Sequence, residues 1–302
     1  MKHPSKFALC LDVGGSHVTA APIDLTNRTL LETGRVREHI RHFDPLESVI
    51  RTWWSALSMA ALACEGADIS HITVAVPAPF DYAQGISHMT HKYRSLYGED
   101  VGAHLRRNQQ YSPLDGIPIL FANDADLFAL GEHWAGVGQT FDRIIGITLG
   151  TGLGSGFIRQ GRVITQGQGV PEGGELWNTP YLDVQAERYA CGQAVTDFYQ
   201  HLRGENCTAQ EICHRADHGD PHARKAYWLL GEHLSAILLP HAQAFEAQAV
   251  VIGGNVSRAW NHFSPALQAG LPGVQVHPSR LLEDATLLGG AALIGTLPEV
   301  TR

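Results

Sequence analysis

Two carboxylates stand where an apolar run gives way to small or polar residues, and the clearer candidate for acid–base chemistry is Asp124. It follows a strand predicted over 117–121 and opens a predicted helix, whose dipole favours an ionised carboxylate at that end. A carboxylate so placed can take a proton from an attacking hydroxyl group. Helix capping by Asn123, with Asp126 at the third helical position, explains the same pattern, so both interpretations stay open.

The second carboxylate, Asp12, ends an apolar strand predicted over 7–13 and precedes Gly14 and Gly15. Mg²⁺ in proteins is commonly held by one or two carboxylates together with phosphates and water. Asp12 is therefore a candidate magnesium ligand. A carboxylate that caps the turn is an equally good interpretation.

A glycine-rich turn that could bind a phosphate follows each of two predicted strands. Backbone N–H groups can approach an anion closely where no Cβ intervenes. A tight hairpin alone explains Gly14 and Gly15, whereas four alternating glycines in 150–156 cost backbone entropy and favour a functional turn. The longer run matches neither the dinucleotide fingerprint nor a Walker A loop, which predicts a nucleotide site of another design.

Two glutamates, Glu175 and Glu187, flank a polar, glycine-containing stretch. Carboxylates are common where sugar hydroxyl groups are held, because each oxygen can accept hydrogen bonds. A pair of solvated glutamates is the alternative.

The elements that position these residues repeat once along the chain. Residues 7–20 and 143–156 share an apolar strand, one polar residue, one apolar residue, a turn of small residues and a returning strand. The repeat predicts two similar α/β lobes, each presenting one turn to a shared cleft. Further helices are predicted over 183–203, 208–216 and 221–246.

Composition narrows the possible partners. The formal net charge of −8 argues against a nucleic-acid-binding protein. No segment reaches the roughly 18–20 apolar residues of a membrane helix. The five cysteines form no C-x-x-C pair, which predicts neither a disulfide framework nor a Cys-rich zinc site. With no targeting signal recognised in residues 1–6, we expect a cytoplasmic protein.

Six segments in order resemble motifs of the ROK family of sugar kinases and repressors, in the actin-like/hexokinase superfamily. They are LDVGGSH, VAVPAPFD, FANDADLFALGE, ITLGTGLGSGF, the pair EGGELWN and ERYACG, and VVIGGNVS. The resemblance implies a two-lobed α/β fold (ribonuclease H-like) with a central cleft. It places the N-terminal lobe at 1–122 plus 286–302 and the C-terminal lobe at 123–285, and it implies a homodimer.

The resemblance also implies residue roles. Asp124 corresponds to the general base that takes the proton from a sugar hydroxyl, and Asp12 helps to place Mg²⁺. Sugar ligands are implied at Asn123, Glu175 and Glu187. Nucleotide contacts are implied at Gly14, Gly15, Thr151, Gly152, Gly154, Gly253, Gly254 and Asn255.

The sequence departs from the family on the sugar side. The family's zinc site uses a cysteine cluster and a histidine, but the histidine position is Asn178 and no cysteine precedes Glu187 in this segment. We therefore expect no structural zinc, with the segment held by packing of Trp177 and Tyr181. Asn178 becomes a substrate-binding candidate. His91 and Lys92 replace the usual residues beside the sugar, so the identity of the hexose does not follow from the resemblance.

The implied activity is transfer of the γ-phosphate of ATP to a hexose hydroxyl, the 6-OH of glucose or a related sugar. Polyphosphate as donor and a sugar-binding sensor are the alternatives. The family's repressors carry a helix-turn-helix domain ahead of this core, and we expect none because the core begins at Phe7.

Overall fold

The computed structural model describes residues 6–64, 66–90 and 92–296. Contacts divide the described chain into two compact units. The first contains the residues up to Ala135 and those from Glu283 onward, and the second contains residues 136–282.

Fifteen strands occur in the described residues, and most belong to two sheets, one in each unit. In chain order the strands are β1 Lys6–Val13, β2 His17–Asp24, β3 Thr29–Leu30, β4 Val36–His39, β5 Asp68–Val76, β6 Phe80–Asp81, β7 Ile86–Ser87, β8 Ile119–Asn123, β9 Arg143–Leu149, β10 Leu153–Arg159, β11 Arg162–Val163, β12 Pro180–Tyr181, β13 Val184–Gln185, β14 Ala249–Gly253 and β15 Gln275–Pro278.

Eight α-helices accompany these strands in the described ranges. They are α1 Leu46–Ala61, α2 Val101–Gln109, α3 Asp124–Trp134, α4 Gly192–Arg203, α5 Ala209–Asp217, α6 Pro221–Phe245, α7 Trp260–Ala269 and α8 Asp284–Ala292. Short 3₁₀ turns fill several connections. Within the part of the chain that the structure describes, no helix combines the length and apolar character needed to cross a membrane.

The two sheets have the same plan, which confirms the repeat seen in the sequence. The first sheet has the order β3-β2-β1-β5-β8, and the second has the order β11-β10-β9-β14-β15. In each sheet an antiparallel hairpin is extended by two parallel strands. Strands β1 and β9 are almost wholly buried, as expected for strands with neighbours on both sides and helices on both faces.

Helix α3 belongs to the first unit because it packs closely on α8. A Cβ added to Gly131 would collide with the carbonyl oxygen of Ala285, and one added to Gly289 would collide with the carbonyl oxygen of Leu127. Glycine at both positions lets the two helix backbones approach. The lobe boundaries expected at 122/123 and 285/286 differ from this division, because residues 123–135, which contain α3, and residues 283–285 belong to the first unit.

The helix predicted over 183–203 is wrong in its first half. Strands β12 and β13 form a short hairpin there, a 3₁₀ turn follows over Ala186–Arg188, and α4 begins only at Gly192. Leu182 lies in the turn between these two strands and adopts a left-handed conformation with φ 52°. The predicted helices over 208–216 and 221–246 are confirmed to within a residue at each end.

Candidate active site

The carboxyl edge of the first sheet gathers the acidic candidates. Asp12 on β1 pairs with Ala75 on β5, and Val76 pairs with Asn123 at the end of β8. Since neighbouring strands are about 4.8 Å apart, Asp12 and Asn123 lie on backbones separated by about 10 Å. Asp124 is the next residue and begins α3. We call Asp12, Asn123 and Asp124 the acidic edge.

The pKa of Asp12 is strongly raised. Burial by the surrounding strands is the main cause, and the negative charges of Asp124 and Glu283 add to it, while Arg37 opposes it. Together they raise the pKa of Asp12 to about 7. The side chain keeps part of its surface accessible. The acidic edge is therefore short of positive charge, and a cation bound there would stabilise the ionised form.

The start of α3 fixes the side chains of Asn123 and Asp124. The Asn123 oxygen accepts hydrogen bonds from the backbone N–H of Ala125 at 2.9 Å and of Asp126 at 3.2 Å, so the predicted cap is confirmed. An oxygen of Asp124 also accepts from the N–H of Ala125, at 2.9 Å. The Asn123 amide donates to the hydroxyl of Tyr82 at 3.1 Å. Capping thus holds both side chains at the edge and does not conflict with a catalytic role for Asp124.

The first turn leaves room around Gly15. The Gly14 N–H donates to the carbonyl oxygen of His17 at 3.0 Å and closes the β1–β2 hairpin. The hydroxyl of Tyr93 donates to the carbonyl oxygen of Gly14 at 2.5 Å. A Cβ added to Gly15 would have no neighbour within 4 Å, so the fold itself does not require glycine at that position.

The carboxylate of Glu187 supports the second glycine turn, residues 150–154. The backbone N–H of Leu153 donates to the Glu187 carboxylate at 2.9 Å, and a Cβ on Gly152 would collide with that carboxylate. The Gly192 N–H donates to the carbonyl oxygen of Gly150 at 2.9 Å. One Glu187 oxygen is therefore engaged with the glycine turn, a contact that the sequence did not indicate.

The end of β14 brings further glycines beside this turn. Gly253 pairs with Thr148 on β9. Gly254 has φ 81°, and a Cβ there would collide with the carbonyl oxygen of Leu149, so both conformation and space require glycine. Asn255 follows at the start of a 3₁₀ turn.

A cavity of about 850 Å³ opens within the second unit next to these residues. Its lining includes Gly150, Thr151, Gly192, Asn255, Val256 and Arg258. The volume falls within the range of about 300–1,000 Å³ that small-molecule sites occupy. Of the predicted nucleotide residues, Thr151 and Asn255 face this cavity, whereas Gly154 lies in β10 opposite Thr148.

Glu175 is positioned through Ser155, a residue with no local sequence signal for this role. The buried Ser155 hydroxyl donates to the carbonyl oxygen of Gly174 at 2.6 Å and accepts from the Leu176 N–H at 2.9 Å. These bonds tie the residues on both sides of Glu175 to β10. The Glu175 carboxylate accepts from the indole N–H of Trp177 at 2.8 Å.

Aromatic rings hold the segment that follows Asn178. The Tyr181 hydroxyl is 2.9 Å from Nδ1 of His233, and its ring contacts that of Tyr189 edge-on. Phe198 stacks on His233 at 5.3 Å. Packing by Tyr181 therefore occurs as expected, whereas Trp177 is a third exposed and bonds to Glu175 instead.

The remaining sugar-side candidates are less engaged. Asn178 is exposed and borders a shallow surface depression together with the β12–β13 hairpin. His91 lies outside the described residues. Lys92 is half-buried and precedes the buried Tyr93, whose contact with Gly14 had no local sequence signal.

Known proteins resemble the chain along most of its length. A model of the ROK family matches residues 8–296. The glucokinase of Thermotoga maritima is 25% identical over 303 residues, which cover 89% of this chain and 89% of that protein. The N-acetyl-D-glucosamine kinase of Haemophilus influenzae is 31% identical over 179 residues, or 52% of this chain and 58% of the relative.

The fold is shared with solved structures. The crystal structure of a ROK family glucokinase from Streptomyces griseus, in complex with glucose and AMPPNP, matches with a TM-score of 0.76 at 22% identity and covers 95% of this chain and 98% of the other. This likeness confirms the predicted α/β fold. The family resemblance drawn from six motifs is likewise confirmed, and the chain belongs to the ROK family.

Proposed function

We propose that this protein, a sugar kinase of the ROK family, transfers the γ-phosphoryl group of ATP to the 6-hydroxyl group of glucose or a related hexose. The observation that carries the proposal is the acidic edge, where Asp124 is held at the start of α3. The glucokinase of Thermotoga maritima supports the substrate class.

Asp124 acts as the general base in this proposal. Its carboxylate orients the sugar hydroxyl and accepts the proton as the hydroxyl attacks the phosphorus atom. The hydrogen bond from Ala125 keeps one of its oxygens fixed. Fixed orientation matters because small displacements of a catalytic group are costly in rate.

Asp12 is the residue that would hold Mg²⁺. The fit rests on the acidic edge itself, where burial and the neighbouring charges of Asp124 and Glu283 disfavour the ionised carboxylate until a cation joins it. Mg²⁺ prefers carboxylate oxygens together with phosphate and water. Bound there, the ion supplies neutralisation of phosphate charge.

Nucleotide contacts are proposed within each unit separately. In the second unit, the cavity beside Thr151 and Asn255 accepts the nucleoside, and the backbone N–H groups of Thr151 and Gly152 at the tip of the turn are offered to phosphate. Gly253 and Gly254 place that turn. In the first unit, Gly14 closes the hairpin through its own N–H, and Gly15 offers its backbone N–H to phosphate. The open space around Gly15 supports this role.

Sugar hydroxyl groups are proposed to bind Glu175, Glu187, Asn178 and Asn123. The turn occupies one oxygen of Glu187, which leaves its second oxygen for a hydroxyl donor. The Asn123 oxygen caps α3 and one hydrogen of its side-chain NH₂ group goes to Tyr82, so this residue would contribute through the second hydrogen.

The test is release of ADP from Mg-ATP in the presence of single sugars. Glucose, fructose, mannose, allose, N-acetylglucosamine and N-acetylmannosamine form the panel, with no sugar as the blank. We expect strong release with one hexose. Repeating the panel with polyphosphate in place of ATP shows which of the two is the phosphate donor. Binding of a sugar without turnover from either donor would indicate a sensor and would overturn the proposal.

A further inference from the structure

Three side chains of different chemistry converge in the second unit outside the residues given roles above. They are Cys213 and Asp217 on α5 and His262 on α7. Their potential ligand atoms all lie within 4.8 Å of one another. Among the described residues, this is the one such cluster of three or more His, Cys, Asp or Glu side chains.

The helices bring the cluster together. Cys213 and Asp217 are four residues apart on α5, which places them on the same face of the helix. His262 comes from the first turn of α7, and its Nε2 lies 2.7 Å from a carboxylate oxygen of Asp217. The two ligand-bearing elements are regular helices, which hold a site more firmly than loops do.

The exposure of the three groups suits an ion that enters from solvent. Asp217 is 61% exposed through its side chain, whereas the His262 side chain is 14% exposed. Cys213 is half-buried, and burial together with the charge of Asp217 raises the pKa of its thiol. Cys213 and Asp217 also border the 850 Å³ cavity, so the cluster has an open side.

We propose that Cys213, Asp217 and His262 form a three-ligand site for Zn²⁺, with the fourth position open to water from the cavity. Thiolate, imidazole and carboxylate are all ligands that Zn²⁺ takes, whereas Mg²⁺ takes oxygen ligands and is excluded by the sulfur. The site is distinct from the family zinc position at Asn178, and it borders the cavity proposed for the nucleoside without using Thr151 or Asn255.

The geometry needs only small side-chain movements. Zn–N and Zn–O bonds of about 2.0–2.2 Å and a Zn–S bond of about 2.3 Å put tetrahedral ligand atoms about 3.3–3.6 Å apart. The Asp217–His262 pair, at 2.7 Å, must open by less than about 1 Å. The other two distances are no longer than 4.8 Å and must close by at most about 1.5 Å. The exposed Asp217 can rotate to adjust its own two distances, and the Cys213–His262 distance is adjusted by rotation of those two side chains.

The test uses the full chain, stripped of metal with a chelator, and Co²⁺ as a spectroscopic substitute for Zn²⁺. We expect one equivalent of Co²⁺ to give a thiolate-to-metal charge-transfer band and tetrahedral d–d bands, which Zn²⁺ then displaces. Cys213→Ser abolishes the charge-transfer band. His262→Gln weakens Zn²⁺ binding at least about 100-fold in chelator competition, since even outer-shell changes cost 10–100-fold.

Cys207→Ser is the matched control, because Cys207 is also half-buried in the same unit but lies outside the cluster. It should keep the full cobalt spectrum. Far-ultraviolet circular dichroism checks the folding of each variant, and His262→Gln decides the matter if Cys213→Ser does not fold. Absence of a thiolate band in the wild type, or its persistence in Cys213→Ser, would overturn the proposal, and neither result bears on sugar phosphorylation.

Discussion

Replacement of Asp12 by asparagine should stabilise the metal-free protein, and increasingly so as the pH rises. Burial, Asp124 and Glu283 raise the pKa of Asp12 from 3.8 to about 7. A raised carboxylate pKa means that stability present below about pH 4 is lost as the pH climbs through 7, because the unfolded chain ionises first. Asparagine has nearly the same shape and carries no charge to desolvate.

The size of the effect follows from the shift. A pKa difference of one corresponds to about 1.4 kcal/mol, so ionised Asp12 costs the fold at most about 4 kcal/mol above pH 7. Between about pH 5 and about pH 8 the cost grows by at most about 2.6 kcal/mol. Asp12 is partly accessible, and solvent screening reduces this to an expected growth of about 1–2.5 kcal/mol.

Urea unfolding of the wild type and Asp12→Asn with a chelator present measures this directly. The amount by which the variant exceeds the wild type in unfolding free energy should be larger at about pH 8 than at about pH 5, by about 1–2.5 kcal/mol. Asp68→Asn, an exposed change on β5, is the matched control and should show no comparable growth. An advantage for Asp12→Asn that is equal at both pH values, or that shrinks as the pH rises, would refute the account of the acidic edge.

Three further changes test the first glycine turn and the sugar-side segment. Gly15→Ala should leave the unfolding free energy within about 1 kcal/mol, because the added Cβ meets only open space in the fold. It should raise the KM for ATP, because a Cβ keeps phosphate away from the backbone N–H. Gly295→Ala, equally open, is the control, and an unchanged KM in Gly15→Ala would count against a phosphate contact. Ser155→Ala should lower the unfolding free energy by about 1–3 kcal/mol, since it leaves buried backbone groups of the Glu175 segment unpaired. It should also raise the KM for the sugar. Urea unfolding and steady-state kinetics measure these two quantities, and no change in either would show that the segment is held otherwise. Tyr181→Ala should lower the melting temperature of the chelator-treated protein, because it removes the ring packing that holds this segment without metal. An unchanged melting temperature would show that the segment is held otherwise.

Local pattern was sufficient to predict the hairpins and the start of α3. Both hairpins consist of apolar strands around a glycine turn, and these signals lie within about twenty residues of one another. The Asn123 cap is likewise set by its neighbours. Such features depend on backbone propensity and burial alone, which a single sequence records.

Contacts between distant segments were not predictable in the same way. Glu187 supports the glycine turn through Leu153, 34 residues earlier in the chain, and Tyr93 bonds to Gly14 across 79 residues. Tertiary packing also replaced the first half of a predicted helix with the hairpin that carries Tyr181. The family motifs predicted a role for Glu187 but gave no sign of its bond to the turn.

The central claim is that Asp124 is the base of a sugar kinase, and its most direct test compares the wild type with Asp124→Asn. Binding of the active sugar is measured by calorimetry, and turnover by ADP release. We expect sugar affinity to change little, while turnover falls by roughly 10²–10⁴-fold, the range typical of a lost general base. Asp115→Asn, at an exposed position of the first unit, controls for unspecific effects. Retention of most of the turnover in Asp124→Asn would contradict the account.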